Sequence, residues 1–245
     1  MTANVLNTDA FSHLSTEELK AKLLQLTKGR DAEPLSQKVL FYKNELAAPF
    51  SELSRRNPFP APEAQVPLIP GVWSPVWSTI PFQDSLPGRL REQSYQIFHE
   101  NGYYANMARY APGHKLSWLQ KLSAFLIAYD LMVVQTFKVI DGQWVIQNVG
   151  IEQALRLSGI PLSIDKAEDW FTRVVSSKSV TTQKVDVLEA PNLTNLDKST
   201  LKKFQKIFLA KPRLEHLYID RDFRLVKTQR EANQRPSYTI AVRRR

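Results

Sequence analysis

The 245-residue chain has no cysteine. That excludes a disulfide framework, a thiol nucleophile and any cysteine-based metal site, and it fits a reducing, intracellular setting. Glycine is scarce, at eight residues, and no Gly-x-Gly-x-x-Gly or similar phosphate-cradling loop occurs. The four histidines, His13, His99, His114 and His216, stand apart, without the close pairing that marks a metal site. No Gly-x-Ser-x-Gly turn presents a serine nucleophile. Long hydrophobic runs are missing too. The longest, residues 125–134, is broken by Asp130 and is far short of the about 20 residues of a membrane-crossing helix. The N-terminus has no basic region ahead of an apolar core, so no signal peptide is expected, and it is not Arg-rich like a transit peptide. These absences lead to an expectation of no catalytic residue, no metal, no cofactor and no enzymatic activity.

What is present is charge, and it is uneven. The net charge is +9. Residues 195–245 hold 14 of the 33 Lys and Arg and 5 of the 24 Asp and Glu, so the first 194 residues carry 19 of each sign. A local positive excess attracts polyanions, either an anionic lipid surface or nucleic acid. The aromatic residues lie mostly within 73–144, away from the basic segment, which disfavours a stacking groove for nucleic acid.

The period of the apolar residues divides the chain into a helical segment, 1–56, and a β domain, 57–245, with a basic C-terminal part at 195–245. Ser15 and Glu18 make a capping box ahead of Leu19, Leu23 and Leu26, and Gly29 marks a stop. A second helix is predicted from Pro34, with Leu35, Val39, Tyr42, Leu46 and Leu53 as its stripe and Pro49 as a kink. Seven of the fifteen prolines then fall within 57–81 and read as a rigid extended strap. Beyond it the period becomes two. Strands are predicted at 73–80, 94–99, 103–110, 133–140, 144–151, 180–188, 217–226 and 238–242, with a helix at 197–209. Asn101-Gly102 and Asp141-Gly142 read as two-residue hairpin turns. Residues 152–175 are ambiguous, with Asp165 or Asp169 a possible helix start. Strands in hairpin order after helices argue for a mainly β, α+β fold: an antiparallel barrel or sandwich preceded by a helical segment.

The best carboxylate pair lies in YIDRDFRLV, 218–226. On one strand Tyr218, Asp220, Asp222 and Arg224 would share a face. Arg224 and its basic neighbours neutralise the acids, so an ion-pair cluster is favoured over acid–base chemistry. The aromatic strands form either a packed core or a lining for an apolar ligand. Trp77 joins Trp73 on the inner face unless Pro75 bulges the strand and flips the parity.

Three motifs, NPFPAP at 57–62, PLIPGVW at 67–73 and YIDRDFRL at 218–225, resemble the plastid lipid-associated protein / fibrillin family in order and spacing. The resemblance covers about residues 18–242. It implies a lipocalin-like antiparallel β-barrel that binds or organises a lipid, carotenoid or quinone, peripherally, at a thylakoid or lipid-globule surface. It also implies Trp73 as the plug of the closed end, with Arg224 packed over it as a cation–π lid. The ligand-binding set expected on this basis is Trp73, Trp77, Tyr95, Phe137, Val139 and Arg224. Lys202, Lys203, Lys206, Lys211 and Arg213 would face anionic head groups. The chain departs from the family in Ser74-Pro75-Val76-Trp77. Two other readings stand beside this one: a protein–protein scaffold with a self-filled barrel, and an enzyme such as a chromophore lyase.

Overall fold

The computed structural model describes residues 9–81, 88–111, 127–157, 159–181, 213–229 and 233–244. The helical segment forms as its local signals dictate. The Ser15 hydroxyl accepts from the Glu18 N–H at 3.2 Å, and the Glu18 carboxylate accepts from the Ser15 N–H at 2.8 Å. This box opens α2 (Thr16–Thr27), which follows the short α1 (Asp9–Ser12). Gly29 turns the chain with φ 76°. Pro34 caps α3 (Leu35–Phe41). A π turn, Tyr42–Leu46, joins α3 to α4 (Ala47–Arg55). It falls where the Pro49 ring would otherwise strike the Glu45 carbonyl of a regular helix.

The proline-rich stretch is not extended throughout. It contains α5 (Pro62–Gln65) and a 3₁₀ turn, Val66–Leu68. Pro62 and Pro67 sit in the first turns of these pieces, where a missing N–H costs nothing. Gly71 then starts the sheet.

Eight strands, β1 (Gly71–Ser78), β2 (Arg89–Phe98), β3 (Tyr103–Tyr110), β4 (Ile127–Ile140), β5 (Gln143–Leu157), β6 (Arg213–Ile219), β7 (Phe223–Gln229) and β8 (Ser237–Arg243), pair antiparallel in order. β1 also pairs with β8, which closes a barrel. Asp141 and Gly142 take φ 50° and 68°, the two-residue turn expected. Asn101-Gly102 does not form that turn. The loop spans 99–102, closed by the His99 N–H donating to the Tyr103 carbonyl at 2.9 Å, and only Gly102 has positive φ, at 83°.

The stretch 217–226 is not one strand. Asp220 Oδ1 accepts from the backbone N–H groups of Asp222 and Phe223 at 2.9 and 2.8 Å, and this turn separates β6 from β7. Asp220 and Asp222 therefore share no strand face with Arg224. Residues 180 and 181 are helical, at the end of α6 (Ile164–Thr181), and Asp165 lies in its first turn. The rest of the strand expected at 182–188, and the helix at 197–209, lie outside the described residues.

Burial sorts into an inside and two outer faces. Ala167, Phe171 and Val175, spaced by four along α6, lie over Val72, Ile97, Ala105, Met132 and Val134. Leu19, Leu23, Leu46, Phe50 and Leu53 of the N-terminal helices cover Trp77, Tyr218, Phe223, Leu225 and Ile240. Trp73, Phe98, Tyr104, Phe137, Trp144 and Ile219 pack together inside, at one end.

Candidate functional site

The two tryptophans of β1 end up on opposite sides of the sheet. Pro75 pairs with Ala241 and Trp77 with Ile240, so two steps on β1 match one on β8. This bulge sits at the proline, which has no N–H for the ladder. It flips the parity: Trp73 points inward and Trp77 outward. Trp77 is fully buried but packs at the edges of Phe41 and Phe50, against the helices. The expectation that Trp77 lines the interior is overturned by this bulge.

Trp73 belongs to the floor of the barrel. Its indole N–H donates to the Ile69 carbonyl at 2.9 Å, and Ile69 packs beside it. The proline-rich segment thus closes this end. Gln65 fastens it: its amide donates to the Phe59 carbonyl at 2.7 Å, and its oxygen accepts from the Trp144 indole at 2.8 Å. Arg243 reaches under the sheet, with Nη1 donating to the Pro70 carbonyl at 2.6 Å and its guanidinium 4.2 Å from the Trp73 ring centre.

Above the floor lies a cavity of about 440 Å³. Leu131, Val133, Tyr110 and Val226 give it apolar walls, and Ile80 and Pro81 stand among the lining residues beyond the end of β1. Arg224 lines it too, only 1% exposed, its guanidinium carbon 4.6 Å from the Trp73 ring centre and 4.7 Å from that of Phe98. Burial, with the Arg243 charge adding to it, pulls the Arg224 pKa down to about 9, so the group stays cationic at neutral pH.

A row of amides crosses the same wall. Arg224 Nη2 donates to Gln96 at 2.6 Å, Gln96 to Asn106 at 2.9 Å, Asn106 to Gln135 at 2.6 Å and Gln135 to Asn148 at 2.6 Å. Arginine has donors only, so it fixes the direction of the whole row. Each amide stands two positions from a floor residue on its own strand: Gln96 from Phe98, Asn106 from Tyr104, Gln135 from Phe137, Asn148 from Ile146. Sequence reasoning missed this row, although the period of two from the aromatic residues was the signal for it.

The remaining expected ligand residues divide. Tyr95 borders the cavity, but its hydroxyl donates to the Leu162 carbonyl at 2.9 Å and it packs in the cluster beneath α6. Phe137 and Val139 belong to the floor cluster rather than to the cavity lining. Arg213 is exposed at the start of β6. Lys202, Lys203, Lys206 and Lys211 lie outside the described residues. Among the described residues no group of histidine and acidic side chains could hold a metal, and no helix is long and apolar enough to cross a membrane.

His216 lies beside the floor, its ring 5.1 Å from that of Trp144. Burial, and then the Arg224 charge, hold its pKa well below the ordinary 6.5. Comparison of the chain with protein-family models, with curated proteins and with solved structures finds no match in any of the three.

Proposed function

We propose that the barrel is a non-enzymatic carrier or organiser of one hydrophobic small molecule, such as a lipid, carotenoid or quinone. The observation that carries this reading is the cavity of about 440 Å³ with its apolar walls. Its size falls in the range of about 300–1,000 Å³ common for ligand pockets. A self-filled barrel, which the scaffold reading requires, would leave no such space. The enzyme reading loses its best carboxylate pair, because Asp220 builds a turn and binds Lys20 at 2.6 Å.

Peripheral docking on an anionic membrane is part of the proposal, supported by the basic excess in 195–245. A thylakoid or lipid-globule setting rests on the motif resemblance at 57–62, 67–73 and 218–225. The test is native extraction followed by mass spectrometry of co-purifying lipids and pigments. One stoichiometric apolar molecule is the expected result. A clean, ligand-free protein that also takes up none of these molecules in vitro would contradict the reading.

A further inference from the structure

Arg224 carries more hydrogen-bonding capacity than its surroundings use. The guanidinium has five N–H donors. One nitrogen, Nη2, donates to Gln96. Nε and Nη1 are buried and have no hydrogen-bond partner among the described residues. The rings of Trp73 and Phe98 meet the guanidinium in cation–π contact but bring no counter-charge to it. No carboxylate among the described residues pairs with it, and its charged neighbour Arg243 has the same sign. A buried cation left in this state is costly, and a partnered one is not.

The nearby polar groups do not supply that partner. Gln96, Asn106, Gln135 and Asn148 are engaged with one another in a row that Arg224 itself orients. They leave Arg224 Nε and Nη1 among the buried nitrogens without a partner, the others among the described residues being His216 Nε2 beside the floor and Trp77 Nε1 outside the sheet. The wall carries apolar surface at Leu131, Val133 and Val226, with Thr239 beside them, and two further cations, Arg89 and Arg235, line the cavity away from the floor.

We propose that the cavity takes a single-chain amphiphile head-first, with an anionic carboxylate on Arg224 and its hydrocarbon tail along the apolar wall. The proposal rests on the reading of the barrel as a ligand site and names the chemical class of that ligand. A carboxylate supplies acceptors for Nε and Nη1 and the missing counter-charge in one small group, once the side chain turns these packed atoms toward the cavity. A cavity of about 440 Å³ accommodates one chain, whereas a two-chain phospholipid exceeds it.

The probes are cis-parinaric acid and its methyl ester, which share one fluorescent chain and differ in the head. Each is titrated against the full chain, against Arg224→Gln and against Arg224→Lys. The acid is expected to bind the native chain about tenfold or more tighter than the ester, the scale of a hydrogen bond to a charged group. That preference should vanish in Arg224→Gln and return in part in Arg224→Lys. The acid–ester comparison on the native chain needs no variant, so a poorly folded substitution leaves the test intact. Equal, tight binding of acid and ester by the native chain would overturn the head-group assignment and leave the cavity as a ligand site. Binding of neither probe would overturn both.

Discussion

Arg109 and Arg224 are the two most deeply buried arginines among the described residues, and they are treated in opposite ways. Arg109 of β3 stands opposite Asp130 of β4 in the register and meets it with two hydrogen bonds, at 2.6 and 2.7 Å; both side chains are 2% exposed. Arg224 of β7 is equally buried and has one neutral partner. The first charge is neutralised by the chain itself. The second lines a cavity, between the Trp73 and Phe98 rings and a row of amides. A buried ion pair is neutralised within the chain, whereas a buried lone cation beside a cavity still lacks its counter-charge.

Substitutions on both sides of that contrast test it. Arg109→Met should have the largest effect, about 3–5 kcal/mol lost in urea unfolding, because it leaves the Asp130 charge buried alone. Trp77→Ala should cost about 3 kcal/mol or more, by opening a hole beneath the helices. It should leave cis-parinaric acid binding unchanged, because Trp77 faces away from the cavity. Asp220→Ala should cost about 1–2 kcal/mol, since Asp220 closes the β6–β7 turn and accepts from Lys20 and Tyr218. Arg224→Met should cost less than these, about 1 kcal/mol, because it strands only the Gln96 carbonyl and removes an uncompensated charge.

The smallest effect is a pH dependence at His216. Its pKa is depressed in the fold, so the unfolded chain binds the extra proton first as pH falls. Its contribution is fully present above the unfolded value of 6.5 and is lost as pH drops through the lower folded value. Urea midpoints measured from pH 7.5 to pH 5 should therefore decline in the native chain and decline less in His216→Gln. Arg224→Gln should also flatten the decline, because the Arg224 charge is one of the two causes of the depression.

Asp220 shows the same linkage with acid chemistry. Burial alone would raise its pKa, but hydrogen bonds from Lys20, Tyr218 and two backbone N–H groups outweigh it and leave the value lowered. Its stabilisation is present above the unfolded pKa of 3.8 and disappears as pH falls through the folded value.

Features set by neighbouring residues were legible in the sequence. Ser15 and Glu18 announced α2, and Asp141-Gly142 announced its hairpin, because each signal lies wholly within the segment it controls. The approach of Arg224 to Trp73 followed from a motif resemblance, and the two groups do lie 4.6 Å apart. What escaped the sequence depended on partners far along the chain. Whether Pro75 bulges β1 is decided by its pairing with β8, and that decides where Trp77 points. YIDRDFRLV alternates well enough to pass for one strand, yet Asp220 can cap its own following N–H groups and fold it into a hairpin. The amide row was overlooked because its spacing of two from the aromatic residues gains meaning only when the strands are set side by side. Gln96, Asn106, Gln135 and Asn148 come from four neighbouring strands, β2 to β5, whose pairing register lines them up, and closure of the barrel adds Arg224 of β7.

The most direct measurement is a crystal structure of the full chain with hexadecanoate. Density should run through the cavity with the carboxylate within hydrogen-bond distance of Arg224 Nε or Nη1 and the Gln96–Asn148 row unchanged. A chain bound the other way round, its carboxylate beside Arg89 or Arg235 and its methyl end on Arg224, would contradict the head-first proposal.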